Sequence, residues 1–562
     1  MGFRILWTDS KKTSWIVGSL LFIISCIPKL THDIGSDSAI YLYFAEQLLS
    51  GKKYYYDFVE PNSPIAFFVY TVPVMIGRWL SISPLILTVF YILIISYLSI
   101  LLCSVLLLKS DTFQNTARYN ALMVALFYAF SFPMPILLMN DIATKSIIFI
   151  ACITPYLLSY ILEIENKKLK LPLKILLGLL AGLAVSLKPQ YVAFLAIMEI
   201  YLMIKKRNLW VWVRLPSIIA AGFVLLYGMV LVFYMPEYLF KNIPLQMVFY
   251  VGKISTFNDF VEKIITILTY LSPVLIVCVI LFNTIKNIAY SDLLLAIIGT
   301  STALLLIEGL ISKDQLSVLY FFLSMTFIYF ILTVITDHDY MARLMKKHVS
   351  IALLTLLFCI LTITTANDII TVFNFQKRNL EVVTNTLEAY VNRYARTDSI
   401  LVFSDNGAYN FPLLNDTGKS LYQRLPVQHV VWGLEQFQEN EEHFTASQRK
   451  SAEVGDAYIH SALMEAFTNH PPKIVFSDEH PRDALYLNVC FGSILTYFLG
   501  KYPDFNKIWN EDYQLIDVID LADVFPQQKE HPIYITIDKQ KKQLEIIPEK
   551  SVARIKVYLR KD

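Results

Sequence analysis

Apolar runs of membrane-crossing length recur through the first two-thirds of the chain and then stop. They lie near 14–30, 84–108, 119–139, 146–162, 210–234, 262–283, 291–311, 316–336 and 349–366. A bilayer core calls for about 20 apolar residues in a helix. Two shorter halves, 174–187 and 190–204, flank Lys188-Pro189. Proline has no N–H to continue the ladder and restricts the residue before it, so a break is expected there. The stretch 64–80 is weaker, being interrupted by Pro73, Arg78 and Trp79. The pattern predicts a polytopic α-helical module over 1–366, with about 11–13 transmembrane helices.

After residue 366 the pattern changes to short β-branched segments bounded by Pro, Gly, Asp or Asn. "SILVFSD" (399–405), "PKIVFSD" (472–478), "PIYITID" (532–538), "QLEIIP" (543–548) and "ARIKVYL" (553–559) are expected strands. The best helical candidates are 376–394 and 447–467. This predicts a soluble extracytoplasmic α/β domain over 367–562.

Lysine and arginine placement sets the expected orientation. The N-terminus, Lys109 with Arg118, "ENKKLKLPLK" (165–174), "KKRN" (205–208), Lys286 and "ARLMKKH" (342–348) mark the inner side. Residues 31–63, 140–145, 188–190, 235–261, 312–315 and the tail then face outward. One count does not close. An inner N-terminus and an inner Lys109 need an even number of crossings, yet 14–30, 64–80 and 84–108 are three. Either 64–80 is a re-entrant or surface helix, or Lys109 and Arg118 lie outside and a later span is miscounted.

Composition adds to this picture. Of 562 residues, 56% are hydrophobic and only 17% charged, below the quarter usual in soluble domains; mean hydropathy is +0.51. Net charge is +2, so bulk electrostatics points to no nucleic acid or other polyanion. Basic blocks such as Lys205-Lys206-Arg207 are read as anchors beside spans. The six cysteines and nine histidines show no CxxC pair, no HExxH and no zinc spacing. No metal site or cofactor is predicted. Acids can recruit a divalent cation, but no spacing demands one. The basic start before 14–30, with no small-residue cleavage site after it, is expected to be an uncleaved first span.

The first outward loop, 31–63, holds the densest chemistry. "GSDSAIYLYFAEQLLSGKKYYYDFVEPNSP" (35–64) carries Asp37, Asp57 and Glu60 with Lys52, Lys53 and a tyrosine cluster. Residues 37–50 should form a short interfacial helix, with Ser36 as N-cap and Gly51 as C-cap. Asp37 and Tyr41, four apart, share a face. The plain reading is a capped helix with aromatic belting and acids paired to the lysines. Transfer of a sugar from a lipid carrier asks for the same ingredients. The acceptor needs a carboxylate base, and the departing phosphate needs cations or amide donors.

The loop resembles the first external loop of the C-type (GT-C) membrane glycosyltransferases, above all the aminoarabinose transferases and protein mannosyltransferases. Asp37, Tyr41, Ala45, Leu48 and Gly51 match the first part of that motif. Tyr55, Asp57 and Phe58 match the second, and Pro61 and Pro64 match the start of the next span. Ser38 stands where the family has glutamate, leaving one acid of a pair, with Asp33 or Glu60 as candidate replacements. More weakly, the Gly-rich 178–201 stretch resembles a family span ending in Lys-Pro. "NDIATKS" (140–146) sits where the family has a second polar motif.

The resemblance implies Asp37 as catalytic base and Glu60 as a carrier or acceptor contact. Lys52 or Lys53, and Lys188, become candidate phosphate ligands. Lys188 could equally snorkel to headgroups past a helix end, and Asp141 and Lys145, four apart, could simply pair with each other. Tyr41, Asp57, Asp141 and Lys145 complete the candidate set. The implied function is an inverting hexosyl- or pentosyltransferase of a bacterial inner membrane, with its tail periplasmic. It would use a polyprenyl-phosphate sugar donor and a glycan, lipid or protein acceptor. An O-antigen ligase or polymerase is the first alternative, although 235–261 has no arginine or histidine. A transporter or flippase of lipid-linked glycans is the second, although no repeat pairs with the Lys-Pro break.

Overall fold

The computed structural model describes residues 10–30, 36–54, 57–60, 62–131, 144–188, 190–244, 289–308, 313–336, 382–395, 399–404, 410–411, 413–419, isolated positions between 431 and 442, 445–479, 493–520, 535–538, 543–546 and 554–561. Among the described residues up to 336 the longer helices are α1 (Lys12–Leu30), α2 (Ser36–Leu49), α3 (Pro64–Leu80), α4 (Pro84–Leu107), α5 (Thr116–Ser131), α6 (Lys145–Ile164), α7 (Leu171–Ser186), α8 (Tyr191–Lys206), α9 (Leu215–Tyr234), α10 (Ser291–Glu308) and α11 (Lys313–Thr336). Of these, α4, α6 and α9 are long and apolar enough to cross a membrane, which fits a membrane location. The expected spans near 262–283 and 349–366 lie outside the described residues.

The chain forms two compact units. One comprises Met1–Ile34, Ser63–Met229 and Phe260–Phe373; the other comprises Gly35–Asn62, Val230–Asp259 and Asn374–Asp562.

In the first unit α6 is the central helix, buried along Lys145–Leu162. Tyr119 ties three helices together. Its hydroxyl accepts from Trp15 Nε1 (3.1 Å) and shares a hydrogen bond with Ser104 Oγ (2.6 Å). α7 and α9 pack through glycines. A Cβ on Gly178 would meet Pro216 O at 2.6 Å, and one on Gly182 would meet Phe223 Cβ at 2.5 Å. Positions four apart on α7 thus face positions several residues apart in the same direction on α9, so the two run parallel. Small residues permit this close approach. Gly182→Ala is expected to destabilise the protein by about 1–3 kcal/mol through overpacking, readable as a lower thermal midpoint in detergent.

Polar contacts bring several segment ends together within this unit. Glu165, just past α6, accepts from Ser110 Oγ (2.7 Å), Asp111 N (2.9 Å), Thr112 N (3.1 Å) and Tyr290 OH (2.8 Å). Burial would raise this carboxyl, but the donors from Ser110, Thr112 and Tyr290 outweigh it and hold the group below its usual range. Lys206 Nζ donates to Glu163 O and Asn166 Oδ1, and Asn120 Nδ2 donates to Ser10 O. Ser10, the 109–120 segment, the end of α6 and the end of α8 therefore share one end of the unit. Ser63, ahead of α3, bonds Ser186 O at the far end of α7 (3.0 Å). From that far end the chain returns to Lys109 through α3 and the 24 residues of α4, the latter about 36 Å long at 1.5 Å each. Trp79 and Leu80, at the close of α3, are exposed.

Among its described residues the second unit also contains α12 (382–394), α13 (Leu413–Thr417), α14 (Ala446–Asn469), α15 (Ile494–Lys501) and α16 (Pro503–Asp512). Its strands are β1 (Ile400–Phe403), β2 (Ile474–Glu479), β3 (Tyr513–Asp520), β4 (Ile535–Asp538), β5 (Gln543–Ile546) and β6 (Arg554–Arg560). One sheet has the order β1-β2-β6-β3, with β1 and β2 parallel; β4 and β5 form a separate antiparallel pair. Phe403 of β1 lies among Phe467, Phe498, Phe505 and Trp509 from the covering helices. Thr445 and Gln448 form a capping box that starts α14. Beyond the paired ends of β1 and β2, Ser404 Oγ donates to the buried Asp478 carboxylate.

α2 belongs to this unit. The sequence places it on a membrane interface. Instead, Ser38 through Ala45 are buried. Asn415 Nδ2 on α13 donates to Ala39 O (3.1 Å), and Tyr43 packs edge-on to Phe411 at 5.4 Å. The apolar positions that suggested lipid contact are covered by protein.

Candidate functional site

In the first unit the polar groups gather where α3, α6 and α8 begin and α7 ends. The Lys188-Pro189 break falls between α7 and α8 as expected. Ser63 precedes Pro64, which starts α3 without an N–H to satisfy. Ser63 Oγ donates to Ser186 O and shares a hydrogen bond with Tyr227 OH of α9 (2.6 Å). The same phenol accepts from Ile65 N (3.2 Å), one of the donors a helix start leaves open. Two residues beyond Ser186 comes Lys188. Its Nζ lies 5.7 Å from the centroid of the Tyr191 ring. That ring stacks on Phe149 at 3.9 Å, and its hydroxyl shares a hydrogen bond with Ser146 Oγ (3.2 Å).

Ser146 is the second residue of α6 and Lys145 the first. Lys145 is 7% exposed, a deep position for an ammonium group. Thr144 is the N-cap and is fully buried, yet its side chain makes no capping bond and its Oγ1 has no hydrogen-bond partner. An uncapped helix start, an unused buried hydroxyl, a buried lysine at the first helical position and Lys188 beside the tyrosine that bonds Ser146 suit an anion. The helix dipole and its open N–H groups favour negative charge there.

Tyr191 thus links Lys188 to the start of α6, where Lys145 is the first residue. Asp141 lies outside the described residues. Tyr191, Tyr227, Thr144 and Ser63 were missed by sequence reasoning. Of these, Tyr191 stands three residues after Lys188 in the Gly-rich stretch, Thr144 lies within "NDIATKS" and Ser63 within the first loop, while Tyr227 had no signal.

In the second unit α2 ends as its sequence predicts. Gly51 adopts φ +82°, and Lys52 N donates back to Gln47 O (3.1 Å), closing the helix in a left-handed cap. Asp37 stands in the first turn of α2, one turn before the buried Tyr41. Lys52 is half-buried, and Lys53 is exposed. Asp57 is exposed, and its carboxylate accepts from Lys53 N (2.6 Å) while Asp57 N donates to Lys53 O (3.0 Å). Asp57 closes the 53–57 turn. Glu60 is 2% exposed, and its Oε1 accepts from Asn62 N and Nδ2.

Asn242 was not singled out by the sequence. It sits in a π-helical turn, Tyr238–Asn242, of the kind often found at functional sites. Its Nδ2 donates to Tyr54 OH (2.6 Å) and to Glu60 O (3.0 Å), and Tyr54 OH donates to Glu60 O (2.7 Å). Burial, with Tyr238 and Glu60 adding to it, pushes the Tyr54 phenol well up. It stays a neutral donor and fixes the loop around Glu60. Among the described residues no group of three His, Cys, Asp or Glu side chains is placed to hold a metal ion.

No protein-family profile matches the chain, and no curated protein matches it. It is similar to the crystal structure of ArnT from Cupriavidus metallidurans bound to undecaprenyl phosphate, at 11% identity and TM-score 0.43, over 97% of each chain.

Proposed function

We propose that the protein is an inverting membrane glycosyltransferase that moves a sugar from a polyprenyl-phosphate carrier to an acceptor at the outer face of a bacterial inner membrane. One observation carries this reading: Lys188 lies over the Tyr191 ring, whose hydroxyl bonds Ser146 in the first turn of α6, next in sequence to the buried Lys145 and the unpartnered Thr144 hydroxyl. A carrier phosphate is the anion such a place suits, because its polyprenyl tail holds it at a membrane boundary. The resemblance of the first loop supplies the other half. Asp37 removes the proton from the acceptor hydroxyl, whose oxygen bonds to the anomeric carbon with inversion. The bond from that carbon to the phosphate oxygen breaks, and the electron pair leaves with the phosphate. Lys145, Lys188 and the α6 N–H groups hold the charge that develops there. Glu60 is held for acceptor or carrier contact. Asp57 shapes the loop, and Lys52 and Lys53 remain available to phosphate oxygens.

The test is sugar transfer by purified protein from a polyprenyl-phosphate sugar. Lys188→Gln and Lys145→Gln should each cut kcat/KM by roughly 10²–10³-fold, the scale of losing one preorganised charge donor. Free polyprenyl phosphate should inhibit the parent far better than either variant. Full turnover by Lys188→Gln, or transfer only from diphosphate-linked oligosaccharides, would overturn the proposal.

A further inference from the structure

We propose that the turn where α7 and α9 begin is a binding surface for the headgroups of anionic phospholipids. It lies at the end of the first unit away from Lys145 and Lys188 and does not depend on the function above. The parallel glycine packing of α7 on α9 sets the two helix starts level. Lys174, one turn before Gly178, therefore lies beside the segment that leads into Pro216.

The cations that 165–174 and 205–214 bring to this end divide into two sets. Lys167 pairs with Asp111, Lys205 with Asp292, and Arg214 with Glu199, while Lys206 is spent on Glu163 O and Asn166. Lys168, Lys170, Lys174 and Arg207 have no side-chain hydrogen bond or ion pair among the described residues. Lys168, Lys170 and Arg207 are exposed, and Lys174 is half-exposed. A net positive face thus remains after the internal pairs are made.

Between Arg207 and α9 runs a 3₁₀ helix, Leu209–Val213, with no buried residue. Trp210 is 75% and Trp212 53% exposed. The Asn208 side chain accepts from Trp210 N (2.9 Å) and fixes the turn that presents them. Exposed indoles beside unpaired cations match the headgroup zone, where Trp settles and anionic lipids attract Lys and Arg. The patch also continues into apolar helix faces. Leu225, Leu226 and Phe233 of α9 are exposed, as a lipid-facing helix would be. A polyanion or an acidic protein would match the charges but not this continuity.

The experiment reconstitutes the full chain in nanodiscs of phosphatidylcholine alone or mixed with phosphatidylglycerol. It counts lipids retained on release by native mass spectrometry. The parent should retain phosphatidylglycerol over phosphatidylcholine by roughly tenfold, given the contribution of each Lys or Arg near an anionic surface. The quadruple variant K168Q/K170Q/K174Q/R207Q should lose that preference. K168R/K170R/K174R, which keeps the charge, should retain it, so loss in the glutamine variant reports charge and not folding. W210A/W212A should lose retained lipid of both kinds. Equal retention of the two lipids by the parent, or an unchanged preference in the glutamine variant, would overturn the proposal.

Discussion

Asp37→Asn is expected to lower transfer from a polyprenyl-phosphate sugar by roughly 10²–10⁴-fold, the usual contribution of a positioned general base. KM for the carrier should stay near the parental value, because the carrier phosphate is assigned to Lys145 and Lys188. The comparison that sharpens this is Asp57→Asn. Both acids lie in the same loop, but the Asp57 carboxylate is engaged by Lys53 N at 2.6 Å, and asparagine can accept that bond through its amide oxygen. Asp57→Asn should therefore keep most of the turnover. A single initial-rate series on both variants decides it. If the two lose activity equally, the loop acts as a fold element and Asp37 is not the base.

The second large effect concerns stability. Glu199→Leu is expected to destabilise the protein by about 3–5 kcal/mol, the range for leaving one member of a buried pair uncompensated. Glu199 sits inside α8 and pairs with Arg214 at 3.0 Å; their side chains are only 12% and 8% exposed. Four donors converge on Glu199 Oε1: Tyr156, Tyr160 at 2.9 Å, Arg214, and Ser217 at 3.2 Å. The guanidinium also lies against both tyrosine rings, 4.9 Å and 4.5 Å from their centroids. Removing the carboxylate leaves this buried cation without its counter-charge. The double variant Glu199→Leu/Arg214→Leu should recover a large part of the loss, since apolar replacement of a whole buried pair is often neutral. Thermal midpoints of parent, single and double variants in one detergent give the answer. A single variant as stable as the parent would mean the pair contributes little.

Much of the helical framework could be read from the chain because it is written locally. The apolar runs gave α4, α6, α8 and α9 to within a few residues, and Gly51 and the Lys188-Pro189 break mark helix ends by backbone rules alone. Five expected strands coincide with β1, β2, β4, β5 and β6. β3 was missed for a physical reason. A register shift between Leu515 and Asp517 breaks the two-residue alternation that marks a strand. The apolar run 210–234 hid a boundary, because Trp and Val continue the hydropathy while Pro216 starts a new helix behind a 3₁₀ turn. Long-range partners were not legible at all. Glu199 and Arg214 look like separate residues near span ends, and nothing near Tyr54 announces Asn242. The anion cluster was half legible. Its lysines stood out as charges beside apolar runs, while Thr144, Ser63 and Tyr227 are ordinary residues made special by what they meet.

The bond from Asn415 to Ala39 spans 376 positions of chain, and this has a consequence for biosynthesis. α2 leaves the ribosome early, before most of the apolar helices exist, and its apolar residues must wait for partners made in the last third of translation. A product that stops before α13 would carry the long apolar runs of the chain and still leave α2 without this part of its covering. Premature chains would thus display apolar surface of the kind that quality-control proteases recognise.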